Sequence, residues 1–143
     1  LLEGRCAYEA ALHATDAELK ELQRLHLDLE RYARAHDADG YYRANHVFHT
    51  WVQSVARNPW LSRITDQLRI FMRLLRGRQL TYPGRIDASI AEHRVLLDAL
   101  CARDADRAQR LMHDHLMEQL AALKALRASE TRAAHGAPKT HAA

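Results

Sequence analysis

Apolar residues recur every three or four positions along nearly the whole chain, and that period admits helices and little else. Only five glycines and three prolines punctuate 143 residues, and no stretch alternates with the period of a strand. Helix signals cut the chain into six segments. A short first helix is expected through 6–14. Thr15 and Glu18 then form a capping box, opening a second helix that carries Leu19, Leu22, Leu25, Leu29 and Tyr32 on one face. It should stop near Asp37–Gly40. The third helix covers 41–56. Asn58 caps the fourth, Pro59 takes its first position, and Gly77 ends it. Residues 78–84 read as a loop. The fifth helix holds 86–102, and Asp104 caps a sixth from about Ala105 to Ala128. The expected fold is all-α, one antiparallel bundle in a single domain over 1–128. Residues 129–143 lack an apolar period and read as a frayed, flexible tail.

Bulk composition excludes more than it identifies. With 48% hydrophobic and 27% charged residues, the chain has an ordinary globular balance and can bury roughly 70% of its unfolded surface without staples. Cys6 and Cys101 stand far apart outside any CxxC pattern, as expected of reduced thiols in a cytoplasmic protein. No apolar run approaches 18 residues, so no membrane partner is expected. A net charge of +3, interspersed with acidic residues, is no nucleic-acid footprint. The chain begins at Leu1 and not at methionine, which fits a piece of something longer.

Three histidines interrupt the apolar stripes at positions that should face inward. His49 shares a face of the third helix with Asn45, Val52 and Ala56; His93 lies at the centre of Ile86, Ile90, Leu97 and Leu100; His115 continues Ala108, Leu111 and Met112. His113 points the other way, toward solvent. Any one of the three reads most simply as a hydrogen-bonded core histidine. Together they would each need partners in a small core, and one divalent ion would satisfy them at once. Asn45 and His49, four apart, can place two ligands on one ion. Both readings stand at this point. His13, His26, His36, His46, His135 and His141 lie on mixed faces, at helix ends or in the tail. Trp51, Trp60, Phe48 and Phe71 read as core filling. Arg69, Arg73 and Arg76 line one face of the fourth helix, a solvated stripe unless that face meets a cavity, where arginine would suit a carboxylate. No phosphate loop, GxSxG elbow or marked nucleophile is present, so no enzyme is expected.

The order of motifs resembles a known family. LLEGRCAYEAALHAT, then ANHVFHTWVQSVARNPWL, then AEHRVLLDALCARDADRAQRLMHDHL, is similar to the C-terminal effector domain (FCD domain) of FadR-type GntR transcription regulators, from the first helix to about Leu116. The resemblance implies six or seven helices around a metal and ligand cavity. It implies that Asn45, His49, His93 and His115 hold a divalent metal, and that a small organic acid binds there. Zinc heads the list of metals, and nickel, cobalt or manganese would tolerate the same ligands. Arg69 and Arg73 are weaker candidates for contacting the acid. The family acts on DNA through an N-terminal winged helix–turn–helix. That domain is expected to be absent here, so DNA is reached only through it, and a homodimer is expected to match two-fold operators. The amide of Asn45 replaces a carboxylate common in the family, which would leave the site more positive by one unit and favour an anion. The competing readings are a metal-dependent hydrolase-like enzyme, which lacks a well-placed general base, and a metal-free structural or dimerising bundle.

Overall fold

The computed structural model describes residues 1–73 and 78–136, with side chains described for 1–68 and 79–132. Among these residues it contains six α-helices, one short 3-10 helix and no strand. The helices are α1 (Leu2–His13), α2 (Asp16–Arg34), α3 (Ala38–Val55), α4 (Pro59–Arg73), α5 (Arg85–Cys101) and α6 (Ala105–Gly136), with the 3-10 turn at Arg78–Thr81.

Local chemistry sets most starts. The Thr15 side chain accepts from the Glu18 amide at 3.2 Å, and the Glu18 carboxylate accepts from the Thr15 amide at 2.8 Å, so α2 opens on the expected capping box. Asn58 Oδ1 accepts from Leu61 N and Asp104 Oδ1 from Arg107 N, opening α4 and α6 as expected. Asp37 was expected to lie where α2 stops. It is instead the N-cap of α3, accepting from Gly40 N at 2.8 Å. Gly40 therefore sits inside a first turn. A Cβ there would lie 2.2 Å from the Tyr32 ring, which explains the glycine by packing rather than by chain reversal. Helix α6 runs through Gly136 instead of ending near Ala128. The Ser129 and Thr131 hydroxyls bond back to the carbonyls of Leu126 and Arg127, and residues 129–132 of the extension are exposed.

Five helices close a ring in cross-section: α1 packs on α6, α6 on α5, α5 on α2, α2 on α3, and α3 back on α1. Helix α4 lies outside, against α1 and α3. The core inside the ring holds Leu22, Leu29, Tyr41, Phe48, Leu96, Leu100 and Met112, all buried, each contributing about 1.5–3 kcal/mol by leaving water. Trp60, expected in the core, is 74% exposed, because the inward face of α4 carries Leu61 and Thr65 instead. Phe71 lies outside the described side chains. Cys6 and Cys101 are reduced thiols. No helix among the described residues is long and apolar enough to cross a membrane.

Candidate metal centre

Helices α3, α5 and α6 each send one histidine into the middle of the ring. His49, His93 and His115 are at most 2% exposed, and one ligand atom from each lies within 4.8 Å of the other two. The ring centroids are 5.3 Å apart for His49–His93, 5.2 Å for His49–His115 and 4.4 Å for His93–His115. The three inward faces expected from periodicity do converge.

The second nitrogen of each ring is taken. His49 Nδ1 lies 2.9 Å from the Glu3 carboxylate in the first turn of α1. His93 Nδ1 lies 2.7 Å from the Ser89 carbonyl, and His115 Nδ1 lies 2.6 Å from Glu92 Oε2. All three partners are acceptors, so each Nδ1 carries the proton and donates it. In the neutral rings every Nε2 is then an acceptor. The Nε2 atoms of His49 and His93 are 3.3 Å apart. Two facing lone pairs repel, and a proton would relieve them only by charging a buried ring. Burial holds His93 well below the usual histidine range, and the neighbouring His115 and His49 push the same way. A cation accepting both lone pairs would remove the repulsion without that cost. His115 Nε2 has a local donor, the Gln119 amide at 2.6 Å, one turn further along α6.

Asn45, one turn before His49 on the same face, is partly buried. Its Oδ1 is fully buried and has no hydrogen-bond partner. An orphaned carbonyl costs about 1–3 kcal/mol, and such atoms call for an explanation. A cation bound by the neighbouring histidine supplies one. The donor set, three imidazoles and an amide oxygen with hydrogen-bonded partners behind the rings, has the chemistry of a divalent transition-metal site.

Several contributors escaped sequence reasoning. Glu3 and Glu92 place two carboxylates directly behind the rings of His49 and His115, so the surroundings are less cationic than the four neutral side chains expected from the sequence would make them with an ion bound. For Glu92, burial pushes the carboxyl up, but hydrogen bonds from His115 and Arg85 outweigh it and hold the group ionised, below its usual range. Arg85 donates from Nη1 and Nη2 to the two Glu92 oxygens at 2.7 and 2.6 Å. The Tyr41 hydroxyl donates to Ser89 Oγ at 2.8 Å and so braces the turn that holds His93; its burial raises the phenol pKa. His113, as expected, is half-exposed. His26, expected on a mixed face, is 4% exposed and packs edge-on against Phe48. The side chains of Arg69 and Arg73 lie outside the described residues, as does Arg76.

Comparison with known proteins agrees with this architecture. A family model described as the FCD domain matches residues 1–118. The chain is 31% identical over 119 residues to the uncharacterized HTH-type transcriptional regulator YcbG of Bacillus subtilis (strain 168), an alignment covering 81% of this chain and 50% of that protein. The chain thus spans about half the length of that curated relative. Among solved structures, McbR/YncC of E. coli superposes with a TM-score of 0.76 at 24% identity, over 87% of this chain and 63% of the other. The Listeria monocytogenes protein Lar, described as controlling expression of the agr system and mediating virulence, gives 0.69 at 18% identity, over 86% and 59%. At such identities these two likenesses establish the fold alone.

Proposed function

The chain belongs to the FCD domain family, and from that membership we propose that it is the ligand-sensing part of a GntR-type transcription regulator. In this reading Asn45 Oδ1 and the Nε2 atoms of His49, His93 and His115 hold one divalent ion, zinc before nickel, cobalt or manganese. A bound ion would supply a Lewis-acid seat for the oxygens of a small carboxylate. The chain's own residues do the rest. Glu3, the Ser89 carbonyl and Glu92 fix the tautomer and aim of the three rings, and the apolar ring of helices keeps water out. DNA is reached through a winged helix–turn–helix on the N-terminal side, and the regulator works in the cytoplasm as a homodimer. The half-length match to a helix–turn–helix regulator supports that division of labour.

The observation that carries the metal assignment is the convergence of three buried histidines, one ligand atom of each within 4.8 Å of the other two, with every Nδ1 tied to an acceptor so that every Nε2 is the accepting nitrogen. The same observation argues against catalysis. Glu3 and Glu92, the carboxylates found behind the rings, are both engaged by ligand imidazoles, so neither is free to act as a general base. The test is elemental analysis of protein purified without chelator or nickel resin. We expect about one divalent ion per chain in the wild type and little in His93→Ala. Full loading of His93→Ala, or wild-type protein that takes up no ion from added zinc, refutes the assignment.

A further inference from the structure

Outside the histidine cluster, the buried charge least accounted for by the function above is Arg85. It lies in the first turn of α5, directly after the left-handed Gly84 at φ 73°, yet it is only 5% exposed. On stability grounds this is a poor place for an arginine. A cation at a helix N-terminus opposes the helix dipole. A buried ion pair also returns little net stability once both charges have left water. The side chain is nonetheless tied at two points: Nη1 and Nη2 donate to Oε1 and Oε2 of Glu92 at 2.7 and 2.6 Å. Glu92 stands two helical turns along the same face of α5. Its Oε2 also accepts the Nδ1 proton of His115 at 2.6 Å, across the contact between α5 and α6.

The histidines are not aimed by equal means. His93 donates to the Ser89 carbonyl, a backbone atom that the helix itself fixes. His115 donates instead to a long, flexible side chain, which keeps its aim only if something holds it against rotamer entropy. We propose that Arg85 is a positioning residue: through Glu92 it holds the His115 ring in its ion-facing orientation before any ion arrives. The guanidinium suits that task, because a two-point fork fixes the plane of a carboxylate as well as its place. Arg85 acts one side chain removed from the ligand ring. The inference takes its purpose from reading His115 as an ion ligand, but the hold on the ring does not require a metal.

The experiment follows the His115 imidazole of the full chain by heteronuclear NMR in chelator, and zinc affinity by competition with a chromophoric chelator. The variants are Arg85→Lys, Arg85→Gln, Glu92→Gln and Arg85→Lys combined with Glu92→Gln. In the wild type the His115 Nδ1 proton should be slow to exchange and shifted far downfield. Arg85→Lys keeps the charge but loses the fork, so it should broaden or shift that signal and weaken zinc by about tenfold, as typical for groups behind a ligand. Arg85→Gln gives a second cut at the same link and should act alike. Glu92→Gln cuts the link from the other end. In its background Arg85→Lys should weaken zinc by less than about threefold more, because nothing remains to transmit the loss. A lower melting temperature in the Arg85 variants, with the His115 signal and zinc affinity both unchanged, would make Arg85 a mere brace of α5 and overturn the proposal. A full further tenfold loss in the double variant also overturns it, since Arg85 would then act by another path. A perturbed His115 signal in Arg85→Lys, in a chain that takes up no zinc, supports the positioning role and removes only the metal. An unperturbed signal, in a chain that binds zinc tightly, removes the positioning role and leaves the metal.

Discussion

Replacing Asn45 by Asp should change stability in opposite directions with and without metal. The buried Oδ1 of Asn45 has no donor within reach, and one turn away Glu3 already places a carboxylate on His49. In chelated protein the new carboxylate would bury a charge where no hydrogen-bond donor meets it. Its cost is at least that of an unsatisfied buried group, about 1–3 kcal/mol. At about 4 °C per kcal/mol for a chain of this length, the melting temperature should fall by roughly 4–12 °C. With zinc bound, the same carboxylate faces a dication across a poorly screened gap, and attraction offsets that cost. Zinc affinity should rise at least about tenfold, or ~1.4 kcal/mol. Thermal melts in chelator and in buffered zinc, with zinc affinity from competition against a chromophoric chelator, measure both halves. Equal stability of Asn45→Asp and wild type in chelator, or unchanged zinc affinity, would mean that the Asn45 oxygen does not face the ion, and the four-residue ligand set would fall.

Three further outcomes follow from the packing. His26 is held below the usual histidine range by burial, which outweighs the opposing pull of Glu30, so the unfolded chain binds its proton first as pH falls. Stability is complete above about pH 6.5 and declines below it, by at most ~1.4 kcal/mol per pH unit for this group. His26→Leu, which also removes an unpartnered Nε2, should flatten that decline in pH-dependent urea melts; an unchanged slope refutes the assignment. Gly40→Ala should cost about 1–3 kcal/mol through collision with the Tyr32 ring and the Asp37 carboxylate, despite alanine's better helix propensity, and part of the loss should vanish in a Tyr32→Leu background. Additive losses in that cycle would contradict the packing account. Gln119→Leu removes the donor that competes for His115 Nε2. Metal-free stability should drop about 0.5–1.5 kcal/mol while zinc affinity holds or rises; a tenfold weaker affinity would instead make Gln119 a ligand.

The parts of the fold legible in the sequence are those with local causes. The caps at Thr15, Asn58 and Asp104 were readable because donor and acceptor sit three residues apart. The stops of α1, α3 and α5 fell within one residue of expectation, at His13, Val55 and Cys101, although glycine is absent where the chain turns and His36, Arg57 and Arg103 adopt left-handed backbone at φ 50–57° instead; the stop of α6 at Gly136 was not legible. At the site, periodicity was enough for His49, His93 and His115. On α5 it was one position out of phase. The buried stripe is Arg85, Ser89, His93, Leu96 and Leu100, with Ile86, Ile90 and Leu97 at its margin. Arg85 and Ser89 look like surface residues until their partners are known, and Ser89's hydroxyl partner, Tyr41, lies 48 residues away. Glu92 and Gln119 did carry a signal, one beside His93 and one a helical turn after His115. Glu3 carried none, since its contact with His49 spans 46 residues and depends on how α1 meets α3.

The spacing of the three histidines also sets a clock. His49 and His93 are 44 residues apart, His115 follows 22 later, and each stands on its own helix. His93 and His115 share the α5–α6 hairpin, but no hairpin brings His49 to them. The constellation therefore comes into being only after long loops have closed and α3, α5 and α6 have met, late in folding and after most of the entropy loss. The reverse holds on the way out. Fraying of a helix end leaves the cluster untouched, and only opening of the whole ring disperses it. An ion held there is released at the pace of that opening, so its exchange would time the rarest motion of the domain instead of its everyday breathing.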